Sequence, residues 1–391
     1  MNICLVGPCA PEDVLKLMFP TDSEEAGKLT GFRGVPVSSL AVALIESRHN
    51  VTLVTTSDDV TSVRKFKGPN FTFIIVPQRR RARYLAFSLY VKEIIKMRDI
   101  LIALDVDIIN AHWTYEHAIA ALMTGKKCVV TAHDAPWLVF KTAGSKKFWV
   151  FRFFLAWICR LKSKHIIFVS EDLQRKWRQE MRWRKASTVI SNLPPFGGSA
   201  SCEQFGNEPV TKILSVGDSS PRKNIQASID SYRLLKSAQP ELELHLVGVG
   251  LEMGAKFYNL QIKDFAFPDI HWHGYQNRDD FMSLMKSCHV LVQPSLLESF
   301  GLTLLEAMSL GVSVIAGHNT GAAVEVVGDA GILVDTRNID EIVDALESLM
   351  KNPHRRNELR RKAKLRVDRD FAQNKIIDLT LSTYEKIISS E

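Results

Sequence analysis

The chain has 391 residues, 46% apolar and 24% charged, a balance that excludes intrinsic disorder and calls for two hydrophobic cores rather than one. No apolar run reaches the roughly 18–20 residues that span a bilayer, and the opening MNICLVGPCAPEDV has neither the basic nor the long apolar region of a secretion signal, so a cytoplasmic location is expected. The net charge of +7 is uneven, +12 over residues 1–200 and −5 over 201–391, so only the first half is expected to meet an anionic surface.

In chain order, strand-like runs fall at 3–6, 51–55, 73–76, 107–111, 128–132 and 165–169, with helix-like stretches such as 37–48 and 84–104 between them. That alternation predicts βαβ units and a parallel sheet. Six scattered cysteines form no Cys-x-x-Cys and no paired metal-ligand spacing. Asp105-Val106-Asp107 reads as a turn into a strand rather than a cation site, and no metal or other cofactor is expected.

The stretch NLPPFGGSASCEQFGNEP, 192–209, supports no regular element. It sets expected boundaries of 1–195 for a first α/β domain, 196–208 for a linker and 209–370 for a second α/β domain, with a last helix at about 371–391 packing back on the first. The second domain repeats the alternation, with strands at 212–218, 242–250, 270–274, 289–295, 311–317 and 330–335 and helices at 225–237 and 281–287.

In such a sheet, ligands bind beyond the strand carboxyl ends. Three strand ends of the second domain suit an anion. SVGDSSPRKN sets Arg222 and Lys223 before a helix, and LVGVG brings glycines at 248 and 250. PSLLESFGLTLLEAMSLG places Glu298 before a Ser-Phe-Gly turn and Glu306 inside the following helix. Helix-start amides attract phosphate, and a carboxylate within the first turns can accept hydrogen bonds from a diol such as a ribose.

The last segment, Pro294-Ser295…Glu298-Ser299-Phe300-Gly301…Glu306-Ala307-Met308…Gly311, resembles the hallmark of retaining GT-B glycosyltransferases of family four, including their pair of glutamates eight residues apart. The resemblance covers essentially the whole chain, tightly in the second domain and loosely in the first. It implies two Rossmann-like parallel-sheet domains facing across a cleft, with a nucleotide-sugar donor held by the second and an acceptor by the first. It also implies Glu298 near the donor sugar, amides of Ser299, Phe300, Gly301 and Leu302 on the sugar and diphosphate, Glu306 on the ribose and Lys223 on the diphosphate. The family often has Arg after the glycine of the first strand-end loop. Here Asp218 follows Gly217, and Arg222 is the substitute.

In the first domain, TAHDAPW puts His133 at a strand end, where the resemblance implies a histidine close to the donor sugar; His112 ends the preceding strand. GFRGVPVSS resembles the family's glycine-rich loop, with Gly31 and Gly34 as its glycines. From Ala135 to Ser170 there are seven Lys and Arg and no acid. Lys146, Lys147 and Arg152 beside aromatic residues suit an interfacial segment on anionic lipid; a buried helix with basic ends is the alternative. Nucleic acid fits poorly, for want of any recognition motif.

The expected function is metal-independent, retaining transfer of a sugar from a nucleotide sugar, UDP-sugar before GDP-sugar, to a glycan or lipid-linked glycan. Bacterial surface polysaccharide assembly on the cytoplasmic face of the inner membrane is the expected setting. The rivals are another GT-B sugar-nucleotide enzyme such as an epimerase or phosphorylase, a nicotinamide dehydrogenase, and a non-catalytic membrane adaptor. The dehydrogenase is disfavoured because CLVGPC lacks G-x-G-x-x-G before a helix.

Overall fold

The computed structural model describes residues 1–80, 88, 90–142, 146–194, 208–261 and 269–390, and the side chains of Lys146 and Lys147 lie outside this description. Most of the stretch 196–208 therefore falls outside the described residues. The chain divides into one unit of Met1–Pro195 with Gln373–Glu391 and a second of Phe196–Ala372.

The first unit is built on eight strands: β1 Asn2–Val6, β2 Asn50–Ser57, β3 Arg64–Gly68, β4 Phe71–Pro77, β5 Ile108–His112, β6 Cys128–Ala132, β7 His165–Phe168 and β8 Ala186–Val189. Their order is β3-β4-β2-β1-β5-β6-β7-β8, and every adjacent pair is parallel except β3–β4. In β1, Ile3 to Val6 are fully buried, as expected of a central strand covered on both faces. Two strands escape the sequence reading. RKFKG of β3 buries only Phe66 among exposed cations, an edge strand guarded by charge. ASTV of β8 is four residues long at the other edge.

The second unit carries β9 Lys212–Val216, β10 Glu243–Val247, β11 Ile270–Gly274, β12 Val290–Gln293, β13 Ser313–Gly317 and β14 Ile332–Val334. The order is β11-β10-β9-β12-β13-β14, all parallel. On one face, Leu244 and Leu246 pack with Ile229 and Tyr232 of the helix Ile225–Lys236 and with Leu346 and Leu349 of the helix Ile339–Lys351.

Both sheets reverse their winding once, between β1 and β5 in the first unit and between β9 and β12 in the second. Those switch points open a crevice at the carboxyl ends of the strands. The helix Gln373–Ser389 belongs to the first unit, where Asn110 Nδ2 donates to the Tyr384 hydroxyl at 2.6 Å.

Candidate active site

The loops after β9 and β10 of the second unit interlock through glycine. A Cβ on Gly217 would lie 2.9 Å from Lys223 Cβ, and one on Gly248 would lie 1.8 Å from the Gly217 carbonyl oxygen. No side chain fits at Gly248, so the two backbones close on each other. Asp218 Oδ1 accepts from the Ser220 amide at 2.9 Å, and Asp218 lies 3.8 Å from Arg222. The departure from the family's arginine thus closes the turn. Arg222 Nη1 donates to the Leu297 carbonyl at 3.3 Å.

Lys223 reaches across the switch point. Its Nζ donates to Glu298 Oε1 at 2.6 Å, and Gln293 Nε2 donates to the same oxygen at 3.0 Å and to Ser295 Oγ at 3.0 Å. Backbone bonds from the Glu298 amide to the Thr320 carbonyl (2.7 Å) and from the Ala322 amide to the Glu298 carbonyl (3.2 Å) fix the loop. Burial alone would raise the Glu298 carboxyl. The Lys223 ammonium, with hydrogen bonds from Lys223 and Ser295 and the charge of Arg222, outweighs burial and holds it below the ordinary glutamate value.

Gly301, at φ 92°, caps the helix Leu302–Ser309 in a left-handed conformation. The first amides of that helix have no intrahelical acceptor. Ser299 and Leu302 are half-buried, and the Phe300 ring packs edge-on against Phe371 at 6.1 Å, so any ligand contact at Phe300 falls to its backbone. Glu306 is buried within the helix and accepts from Arg278 Nη1 at 2.7 Å. Burial raises its carboxyl, against the pull of Arg278. Nε and Nη2 of Arg278 are buried with no hydrogen-bond partner among the described residues.

The structure thus joins Lys223 to Glu298, which the sequence assigned to separate parts of a donor. It also adds two residues that the sequence did not single out. Gln293 is a buried polar residue closing an apolar strand, VLVQ. Arg278 opens the helix Arg278–Ser287 beside two aspartates; an arginine at a helix start, where its charge opposes the dipole, was the available signal.

In the first unit, His133 follows β6 and is buried. Its Nε2 lies 2.9 Å from His112 Nδ1, and the Trp113 ring lies 4.4 Å from its own. Burial lowers His133 to about 3 and holds His112 well below the ordinary histidine value, so both are neutral near pH 7. Gly34 caps the helix Val35–Glu46, and a Cβ there would lie 1.9 Å from the Pro8 carbonyl oxygen. Gly31 lies against Cys9 and Pro11. Both glycines serve close approach to the segment after β1.

Arg152 needs correction. The sequence grouped it with Lys146 and Lys147 on a lipid-facing patch, but it points inward, 3.6 Å from Glu116 and with its guanidinium 3.9 Å from the centre of the Tyr115 ring. Burial works against its charge; Glu116 and Tyr115 more than offset this and raise its pKa. Helical register is the cause. In the helix Lys146–Lys162, Val150, Phe154 and Leu161 share one face and are 49%, 49% and 55% exposed. Arg152 lies about 200° round from Val150 at 100° per residue.

Two family models match the chain in succession. "Glycosyltransferase Family 4" matches residues 35–193 and "Glycosyl transferases group 1" matches residues 203–366. The chain is similar to a D-inositol 3-phosphate glycosyltransferase of Paenarthrobacter aurescens, 31% identical over 45% of this chain and 44% of the relative. It is also similar to the O-antigen chain mannosyltransferase B of Escherichia coli, 34% identical over 36% of this chain and 38% of the relative. The chain thus spans less than half the length of these curated relatives. Among solved structures, sucrose-phosphate synthase from Thermosynechococcus elongatus matches with a TM-score of 0.77 and 18% identity over 100% of both chains.

Proposed function

We propose a function on one premise: the chain belongs to the GT-B glycosyltransferases of the family-four type. It moves a sugar from a nucleoside diphosphate sugar, UDP-sugar before GDP-sugar, to a glycan or lipid-linked glycan, with retention at the sugar carbon. The observation that carries this reading is the Lys223–Glu298 pair at the β9–β12 switch point, beside the amides that open the helix Leu302–Ser309.

As the donor bond breaks, negative charge grows on the departing diphosphate. Lys223, Arg222 and the helix-start amides stabilise that charge in a site partly shielded from water. These cations make a metal unnecessary for the transfer. Glu298, next to Lys223, accepts from hydroxyls of the donor sugar and offsets positive charge on its ring. Glu306 accepts from the ribose hydroxyls, and the unpartnered nitrogens of Arg278 donate to acceptor atoms of the same nucleotide. His133, neutral, offers a hydrogen bond rather than a charge. No side chain is assigned as nucleophile; the acceptor attacks on the face that the diphosphate leaves.

The acceptor is carried at an anionic membrane surface, on the cytoplasmic face of the inner membrane, for surface polysaccharide assembly. The exposed stripe Val150, Phe154 and Leu161 supports this, as do Arg160 over the Trp157 ring and Lys141 over the Trp137 ring. No helix among the described residues is long and apolar enough to cross a membrane. The similarity to an O-antigen chain mannosyltransferase agrees with such an acceptor.

A panel of nucleotide sugars tests the reading by thermal shift and by slow donor hydrolysis. One sugar nucleotide is expected to stabilise the protein and to be hydrolysed, and Lys223→Ala to lose hydrolysis. Conversion of the donor to its epimer without acceptor would establish the epimerase reading. Membrane binding with no response to any sugar nucleotide would establish the adaptor.

A further inference from the structure

Four polar residues alternate along two neighbouring strands on the sheet face opposite the Leu244–Leu246 core: Glu243 and His245 on β10, and His271 and His273 on β11. His245 and His271 are register partners, and their rings stack at 4.6 Å. His245 Nε2 lies 3.2 Å and His271 Nε2 lies 3.7 Å from Glu243 Oε2. One ligand atom from each of Glu243, His245 and His271 falls within 4.8 Å of the others. We propose that Glu243, His245 and His271 form a zinc site on the β10–β11 pair.

The two contacts to Glu243, 3.2 and 3.7 Å, are near those of a tetrahedral ion, and the His271 ring must rotate out of its stack on His245 to complete the set. Zinc bonds of about 2.0–2.2 Å to imidazole nitrogen and carboxylate oxygen set ligand atoms about 3.3–3.6 Å apart, and the half-exposed His271 has solvent on one side in which to turn. The outer partners agree. His245 Nδ1 lies 3.0 Å from His273 Nε2. With zinc on Nε2, Nδ1 carries the proton and donates it to His273, the second hydrogen bond that orients a ligating histidine. Glu243 and His271 are both half-exposed, which leaves the fourth position to water. Lys212 Nζ lies 3.7 Å from Glu243 Oε2 on a side chain 38% exposed, free to swing into solvent when the ion arrives.

This site is separate from the donor site. His245 lies three residues before Gly248, roughly 10 Å along the strand. Its role is to clamp the edge strand β11, whose Gly274 carbonyl accepts from the Gly248 amide at 2.8 Å. The ion therefore steadies the glycine turn that closes on Gly217, without entering the transfer chemistry.

Full-length protein, stripped with chelator, is titrated with Zn²⁺ against a chromophoric zinc indicator, and separately with Co²⁺ while visible absorption is recorded. The expected result is one equivalent per chain, tetrahedral Co²⁺ bands, and a rise in Tm with Zn²⁺. His271→Ala, at a half-exposed position of the edge strand β11, weakens binding by about tenfold or more, and Glu243→Gln does likewise. The proposal is overturned if wild type takes up no stoichiometric Zn²⁺, or if both variants bind it as wild type does.

Discussion

Removing Lys223 strands a buried carboxylate. Breaking one side of a buried pair costs about 3–5 kcal/mol, whereas replacing both members is far milder. Lys223→Met is therefore expected to lower the unfolding free energy by about that range, and Lys223→Met with Glu298→Gln to recover most of it without recovering transfer. Urea unfolding beside donor hydrolysis separates the two effects. The sign with pH follows from the depressed Glu298 carboxyl. Its stabilisation is fully present above the ordinary glutamate value and fades as pH falls through the lower folded value. Glu306 is shifted the other way, so acid protonates it first. At this scale the motif named both glutamates but neither of their cations as partners. Arg278 lies 28 residues before Glu306 and Lys223 lies 75 before Glu298, and nothing local in a sequence encodes such a meeting.

The helix Lys146–Lys162 shows what an element adds. Its composition predicted greasy and basic together, which the helix satisfies on separate faces: Leu155, Ala156 and Cys159 are buried, Arg152 is paired inside, and Val150, Phe154 and Leu161 face solvent. Phe154→Asp should therefore cut binding to anionic vesicles at least tenfold, since it loses apolar insertion worth about 2 kcal/mol and adds repulsion. Tm is expected to stay near wild type, because the site is exposed. Unchanged vesicle sedimentation would remove the stripe from the membrane reading. Composition located this segment, but only the helix phase distinguished its faces. The short edge strands β3 and β8 escaped for a related reason, offering too few alternating positions to register as a pattern.

At the scale of the whole molecule, the second unit interrupts the first. Asn110 on the central strand β5 and Tyr384 on the returning helix are 274 residues apart yet share a buried hydrogen bond. Tyr384→Phe leaves a buried amide donor without its acceptor and should cost about 1–3 kcal/mol. Urea denaturation measures this, and an unchanged midpoint would mean that the hydrogen bond adds nothing to the packing of the helix. The alternation of strands and helices made two parallel sheets legible. The sequence predicts a last helix at about 371–391 packing back on the first domain, but the buried hydrogen bond between Asn110 and Tyr384, 274 residues apart, has no local signal.

That interruption imposes a timetable. During synthesis the second unit is contiguous, Phe196–Ala372, and can complete its core as soon as it clears the ribosome. The first unit, although it emerges earlier, waits for residues 373–389 to cap Asn110 and cover its strand face. Released chains truncated after Ala372 should therefore carry a protease-resistant C-terminal unit beside a protease-sensitive N-terminal one, reversing the usual order in which domains mature.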